Sequence, residues 1–142
     1  MTDKHQSRRD AGFTLLELLV VLAIMGLLAA VIGPQVLKYL GSSRTQTAKI
    51  QIQNVTAGLE LFRLDIGRYP TPQEGLNALV VAPPTAPGWN GPYLRRADAL
   101  RDPWGQTYLY AMPGKHGEVD VYSLGADKAE GGTGEDQDVG NW

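Results

Sequence analysis

The sequence predicts an α+β fold, in which a long N-terminal helix packs on a small antiparallel β-sheet in a loop-rich head. Three observations predict it: an apolar run of membrane-spanning length, a helical stripe of apolar residues behind it, and a turn-rich C-terminal half with two short strand patterns. A chain of 142 residues suits one modest domain and excludes a large multidomain enzyme. Its net charge of −2 argues against nucleic acid as a partner, because phosphates are neutralised by a basic surface. The chain has no cysteine, which excludes disulfides and thiolate metal sites.

Residues 13–32 form an apolar run whose only polar members are Thr14 and Glu17. A helix of this length covers roughly the 30 Å hydrocarbon core of a bilayer. Basic residues ahead of the run predict that its start stays cytoplasmic and that the C-terminal head faces the other side. The alternative is a cleavable secretory signal, but its apolar region would be shorter and would end at its small-residue site. We therefore predict a retained membrane helix over residues 13–33.

An amphipathic helical half is predicted over residues 34–67. Pro34 is expected to kink or loosen the helix as it leaves the apolar run, and Gly67 is expected to end it as the C′ residue. Between them, apolar residues recur at spacings of three and four, which places them on one helix face. They are Ala48, Ile52, Val55, Leu59, Phe62 and Ile66.

The head, residues 68–142, is punctuated by proline and glycine. The segment GLNALV predicts a short helix, and residues 106–112 and 118–124 predict two strands joined at the PGKHG turn as a β-hairpin. Aromatic residues are expected to supply much of the small core together with the helix stripe. They are Trp89, Tyr93, Trp104, Tyr108, Tyr110 and Tyr122.

The sequence contains no catalytic template. It lacks the H-E-x-x-H, G-x-S-x-G and P-loop motifs, and its only histidines are His5, in the leader, and His116, in a turn. An isolated turn histidine is typical of solvent-exposed surface. We therefore predict a protein that is not an enzyme.

Glu17 needs an explanation, because an ionised carboxylate near a membrane helix centre costs about 2.5–3.5 kcal/mol. Near the helix start, its side chain could instead reach the lipid headgroups. If the chain were cut between Gly12 and Phe13, a new ammonium on Phe13 would lie four residues away and could neutralise Glu17 within or between chains. Between packed helices, such a pair would also fix the axial register.

The residues RRDAG, followed by FTLLELLVVLAIMGLLAAVIGPQV, resemble the class III signal of type IV pilin-like proteins. The resemblance implies that residues 1–12 are a leader that a prepilin peptidase removes between Gly12 and Phe13, with N-methylation of Phe13. It also implies a role for Glu17 in methylation and filament assembly. Pro34 falls at the position of the family's helix-loosening proline.

The head resembles that of the major pseudopilins of type II secretion systems in LDIGRYPTPQEGLNALV, PGWNGPYL, DPWGQTYLYAMPGKHGEVDVYSLGAD and DVGNW. Type IV pilins usually close this region with a disulfide, which a cysteine-free chain cannot form. The resemblance implies a subunit of a homopolymeric helical pseudopilus that is built on the bacterial inner membrane, reaches into the periplasm and helps to export folded proteins. Implied partners are minor pseudopilins, the prepilin peptidase and the inner-membrane secretion platform. The alternatives are a minor pseudopilin, a type IV pilin or a membrane-anchored periplasmic binding module.

The C-terminal loop, SLGADKAEGGTGEDQDVGNW, is rich in acids and contains one basic residue, Lys128. Hard oxygen ligands on a glycine-rich loop suit calcium, although a solvated acidic tail has the same composition. The pseudopilin resemblance implies one structural calcium, held by Asp127, Asp138, a third acid and the carbonyl of Leu124. Asp136 is the expected third acid, and Glu135 is the alternative.

Overall fold

The computed structural model describes residues 13–142, so the predicted leader lies outside the described residues. One long helix, α1, spans Leu15–Ile66, and three short strands follow it: β1 (Leu109–Ala111), β2 (Asp120–Ser123) and β3 (Val139–Gly140). Short 3-10 helices lie at Leu76–Leu79, Ala97–Leu100 and Gly134–Asp136. The chain divides into two compact units, of which the first ends at Lys38 and the second is Tyr39–Trp142. The α+β prediction is confirmed.

In the first unit, α1 is apolar and exposed. By length and composition this helix could cross a membrane, with a mean hydropathy of 2.9 over its most apolar window and no part of that window buried. The helix continues through Pro34, so the predicted loosening does not interrupt it. Proline removes one backbone N–H from the helical ladder, and the hydrogen bonds on either side keep the helix continuous.

In the second unit, the predicted stripe of α1 forms the centre of the core. Ala48, Ile52, Val55, Leu59 and Phe62 are all fully buried, and Ile66 packs against them half-buried. Gly67 adopts a φ of +82°, and its N–H donates to the Arg63 carbonyl at 2.8 Å. This is the expected left-handed C-terminal cap, because a residue with a side chain rarely adopts that φ.

The sheet is antiparallel in the order β1, β2, β3. Leu109 pairs with Tyr122 and Ala111 with Asp120 across the predicted hairpin, and Ser123 pairs with Val139 of β3. Both predicted strands are too long. Thr107 pairs instead with Arg101, and the Gly114 N–H closes the turn onto the Glu118 carbonyl at 3.1 Å, which shortens the ladder at both ends. The third strand was not predicted.

Aromatic side chains complete the core largely as predicted. Tyr108 is buried, while Trp89, Tyr93, Trp104 and Tyr110 pack against the core half-buried. Tyr122 differs, since its ring lies 6.0 Å from that of Trp142 rather than among the core residues.

A polar cluster fixes the loops that follow α1. The Arg68 guanidinium forms two hydrogen bonds with the Glu74 carboxylate, at 2.7 and 2.8 Å, and Glu74 also accepts the Thr71 N–H at 2.6 Å and the Thr85 hydroxyl. Because only 8% of the Glu74 side chain is exposed, these donors replace its lost water. The hydrogen bonds from Arg68, aided by those from Thr85 and Thr71, hold the pKa of Glu74 well below its usual range against the opposing effect of burial.

Candidate functional sites at the helix start and in the acidic loop

Glu17 and Thr14 form a reciprocal cap at the start of α1. The Thr14 N–H donates to Glu17 Oε2 at 2.9 Å, and the Glu17 N–H donates to Thr14 Oγ1 at 3.2 Å. This is the capping box of the S/T-x-x-E/Q pattern, which satisfies two backbone donors that a helix start leaves free. The pattern is visible in the sequence as Thr-Leu-Leu-Glu, so Glu17 has a capping role in addition to the charge that the sequence draws attention to.

The processing site lies at the edge of the described residues. Phe13 is 87% exposed immediately before the cap, and Gly12 lies among the residues that are not described. The amide of Phe13 becomes an ammonium only after cleavage. The pairing of that ammonium with Glu17 therefore stays a prediction.

The acidic loop folds back on itself through backbone hydrogen bonds. The Ala126 N–H donates to the Glu135 carbonyl at 2.9 Å, and the Asp138 N–H donates to the Gly131 carbonyl at 3.1 Å. Glycine is required at position 125, where the two ends of the loop come into contact, because a Cβ there would lie 2.6 Å from the Glu135 carbonyl oxygen. Gly125 also has a φ of +71°, which glycine adopts without strain.

Only some of the predicted calcium ligands lie close together in the structure. Leu124 and Asp138 both line a cavity of about 350 Å³, whose other walls include Glu130, Tyr122 and Trp142. Within residues 13–142, however, no three histidine or carboxylate side chains lie close enough to hold a metal ion together. Asp127 instead turns onto its own backbone, where Oδ1 accepts the Ala129 N–H at 3.1 Å.

Asp138 has the one feature in the loop that fits a bound cation. Its Oδ2 accepts the Gly131 N–H at 2.9 Å, whereas its Oδ1 is buried and has no hydrogen-bond partner in the described chain. A buried carboxylate oxygen without a donor is unfavourable, because it has lost its water and gained nothing. A cation beside Asp138 would remove that cost.

The His116 side chain is 44% exposed, as expected for a turn histidine, but it also makes specific contacts that the sequence does not predict. Its Nδ1 lies 3.0 Å from Asp120 Oδ2, and its ring stacks on that of Trp142 with centroids 3.8 Å apart. Burial alone would raise the pKa of Asp120, but hydrogen bonds from the Lys115 N–H and from His116 outweigh it and lower that pKa. Asp120 thereby closes the hairpin turn, which is a structural role.

The start of the chain, including the apolar run, resembles a known motif. Residues 7–33 match the family model of the prokaryotic N-terminal methylation motif. The fold and the capped, exposed apolar helix therefore define a protein of the pilin-like class.

The remainder of the chain gives the particular family, since residues 35–142 match the family model of type II secretion system protein G. Curated relatives are the type II secretion system core protein G of Pseudomonas aeruginosa, 44% identical over 96% of this chain and 98% of that protein, and that of Vibrio cholerae, 41% identical over 95% and 93%. The crystal structure of the major pseudopilin from the type 2 secretion system of enterohaemorrhagic Escherichia coli matches with a TM-score of 0.58 and 34% identity, over 70% of this chain and 87% of that one. The chain therefore belongs to the type II secretion system protein G family, and its function is that of a major pseudopilin.

Proposed function

We propose that the chain is a non-enzymatic structural subunit that is cut between Gly12 and Phe13 by a prepilin peptidase, methylated on Phe13 and polymerised into a periplasmic pseudopilus. Before assembly, the apolar part of α1 anchors it in the inner membrane with the head in the periplasm. Its partners are other copies of itself, minor pseudopilins and the inner-membrane secretion platform, and together they help to export folded proteins. The observation that carries this proposal is the succession of the two family matches, residues 7–33 and 35–142, along one chain.

Processing gives the first test. When the chain is expressed with a prepilin peptidase and recovered from membranes, intact mass and N-terminal sequencing are expected to show loss of residues 1–12 and one methyl group on Phe13. Expression without the peptidase is the control and should preserve Met1. An intact Met1 in the presence of an active peptidase, or cleavage beyond Ala30, would contradict the proposal and favour a plain anchor or a secreted domain.

The acidic loop binds one structural calcium in this proposal, with Asp127, Asp136, Asp138 and the Leu124 carbonyl as ligands. Three observations support it: the unpartnered buried Oδ1 of Asp138, the presence of Leu124 and Asp138 in one cavity, and the excess of acids over Lys128. Calcium accepts six to eight oxygens, including backbone carbonyls, so it does not need three gathered carboxylates. Asp127 would exchange its bond to the Ala129 N–H for the cation. The ion would hold together a loop whose like charges otherwise repel.

Chelation tests the calcium. Because a ligand bound only to the folded state stabilises it by about 2.7 kcal/mol at a free concentration of 100 times its Kd, chelation should lower the Tm of the full chain in detergent. Asp138→Ala should have the same low Tm and lose the response to calcium. Asp98→Ala removes an exposed acid from the 3-10 helix Ala97–Leu100, outside the acidic loop, and should keep the response. An unchanged Tm on chelation, with no ion found in the purified protein, would leave the loop as solvated charge.

A further inference from the structure

The short 3-10 helix Gly134–Asp136 rests on α1 at Gly41, within the second unit. A Cβ built on Gly41 would lie 2.5 Å from Glu135 Cγ, so only glycine lets the Glu135 side chain lie this close to the helix. Arg44 Nη1 lies 3.5 Å from Glu135 Oε1, and the Thr45 hydroxyl donates to the Gly134 carbonyl at 3.3 Å. The loop therefore contacts one turn of α1 through a side chain, an ion pair and a backbone carbonyl.

This contact lies where α1 first becomes buried. Gly41 is the first buried residue of the helix, and the next one is Ala48. Seven residues correspond to about two helical turns or roughly 10 Å of helix. Without the Glu135 contact, the packed part of α1 would begin two turns later.

Residues 41–47 need this support because their sequence, GSSRTQT, disfavours a helix. Glycine, serine and threonine are weaker helix formers than alanine, and exposed helical residues gain little from packing. The Thr47 hydroxyl also donates to the Ser43 carbonyl, four residues earlier, at 2.9 Å, and the Thr45 hydroxyl shares its one proton between the carbonyls of Gly134 and Gly41, the latter at 3.2 Å. Such bonds compete with the helical ladder and slightly destabilise it.

Glu135 also belongs to the loop closure, because its carbonyl accepts the Ala126 N–H. One residue thus joins the start of the acidic loop to α1. Its carboxylate faces Arg44 on the helix, which leaves it poorly placed to bind a cation among the other loop acids. The ion pair is more than one-third exposed on both sides, so packing on Gly41 is the larger contribution.

We infer that Glu135 is a latch that fastens the acidic loop to α1 at Gly41 and keeps residues 41–47 helical, and that it is not a calcium ligand. The second part rests on the proposed calcium site, whereas the first part does not. The loop then sets where the packed part of α1 begins, at Gly41 rather than at Ala48.

A double-mutant cycle tests the contact in the full chain in detergent. In the Glu135→Ala background, Gly41→Ala should raise the Tm by a few degrees, since alanine favours the helix by about 1 kcal/mol over glycine. In the natural background the same change displaces Glu135, so the gain should vanish or become a loss. An equal rise in both backgrounds would show that the two residues are uncoupled and would overturn the latch.

Amide hydrogen exchange separates a local latch from a general loss of stability. In calcium-free buffer, Glu135→Ala should speed exchange in residues 41–47 by about tenfold or more, because the opening that exposes these amides breaks the Glu135 contact. Glu135→Gln keeps the methylene groups on Gly41 and an acceptor for Arg44, and should restore most of the protection. Glu130→Ala removes another loop acid and should leave residues 41–47 as protected as in the natural chain. Faster exchange after Glu130→Ala, or none after Glu135→Ala, would contradict the proposal.

Calcium titration of the same variants distinguishes the latch from the cation site. If calcium raises the Tm of the natural chain and of Glu135→Ala equally, Glu135 is not a ligand, as proposed. If calcium stabilises only the natural chain, Glu135 belongs to the cation site and that part of the assignment fails. If calcium stabilises neither, the proposed calcium fails, but the coupling between Gly41 and Glu135 still decides the latch.

Discussion

Glu17→Ala is expected to abolish incorporation of the chain into the pseudopilus, while the chain still inserts in the inner membrane. The carboxylate of Glu17 accepts the Thr14 N–H and hydroxyl, and it is the only charge within the apolar run. Alanine removes the charge and the Glu17 half of the reciprocal cap, whereas the backbone N–H at position 17 can still donate to Thr14 Oγ1. Membrane insertion should persist because the remaining apolar residues are sufficient to hold the helix in a bilayer.

Two further variants separate the cap from the charge. Glutamine also serves in capping boxes, so Glu17→Gln should keep α1 capped but cannot pair with an ammonium on Phe13. Thr14→Ala weakens the cap by about 1 kcal/mol and keeps the charge. We expect Glu17→Gln to fail in assembly and Thr14→Ala to assemble, as measured by the amount of subunit in sheared pseudopili relative to the membrane pool. Assembly of Glu17→Gln at the natural level would restrict Glu17 to capping.

The parts of the fold that depend on local pattern were predictable from the sequence. The stripe from Ala48 to Phe62 and the cap at Gly67 follow from spacing and from the conformational freedom of glycine. Strand β3 was not predictable, because two residues have no alternation and Val139 becomes a strand only by pairing with Ser123. The shortening of the hairpin was not predictable either, because it also depends on pairing with a distant residue: Thr107 forms an antiparallel bridge with Arg101 instead of extending strand β1 against β2.

The candidate sites also differ in whether they depend on a local sequence pattern or on contacts between distant residues. The Thr14–Glu17 cap joins residues three apart, and its motif could have been found in the sequence. The contact of Glu135 with Gly41 joins the two ends of the second unit, and no local pattern indicates it. Composition identified the acids of the C-terminal loop, but the direction of each side chain depends on turns such as the one that directs Asp127 onto the Ala129 N–H.

Glu74→Gln is expected to destabilise the head by about 3 kcal/mol near neutral pH, the low end of the cost of breaking a buried ion pair, because Arg68 is one-third exposed. The charged form of Glu74 is held by Arg68, so its pKa is depressed in the folded state. A depressed carboxyl pKa contributes stability that is complete above the unfolded value of about 4.5 and is lost as the pH falls towards the folded value. The free energies of unfolding of the natural chain and of Glu74→Gln, measured by denaturant titration, should therefore differ most above pH 5 and converge as the solution is acidified.

Glu118→Gln is the matched control for that prediction. Glu118 also pairs with an arginine, Arg63, at 2.6 Å, but its side chain is 72% exposed. Water already solvates such a carboxylate, and exposed pairs contribute about 0–1 kcal/mol, so this variant should unfold nearly as the natural chain does. If both variants lose the same stability, burial of Glu74 is not what makes its pair strong. If Glu74→Gln loses stability by an amount that does not shrink on acidification, the loss comes from packing rather than from the charge that Arg68 stabilises.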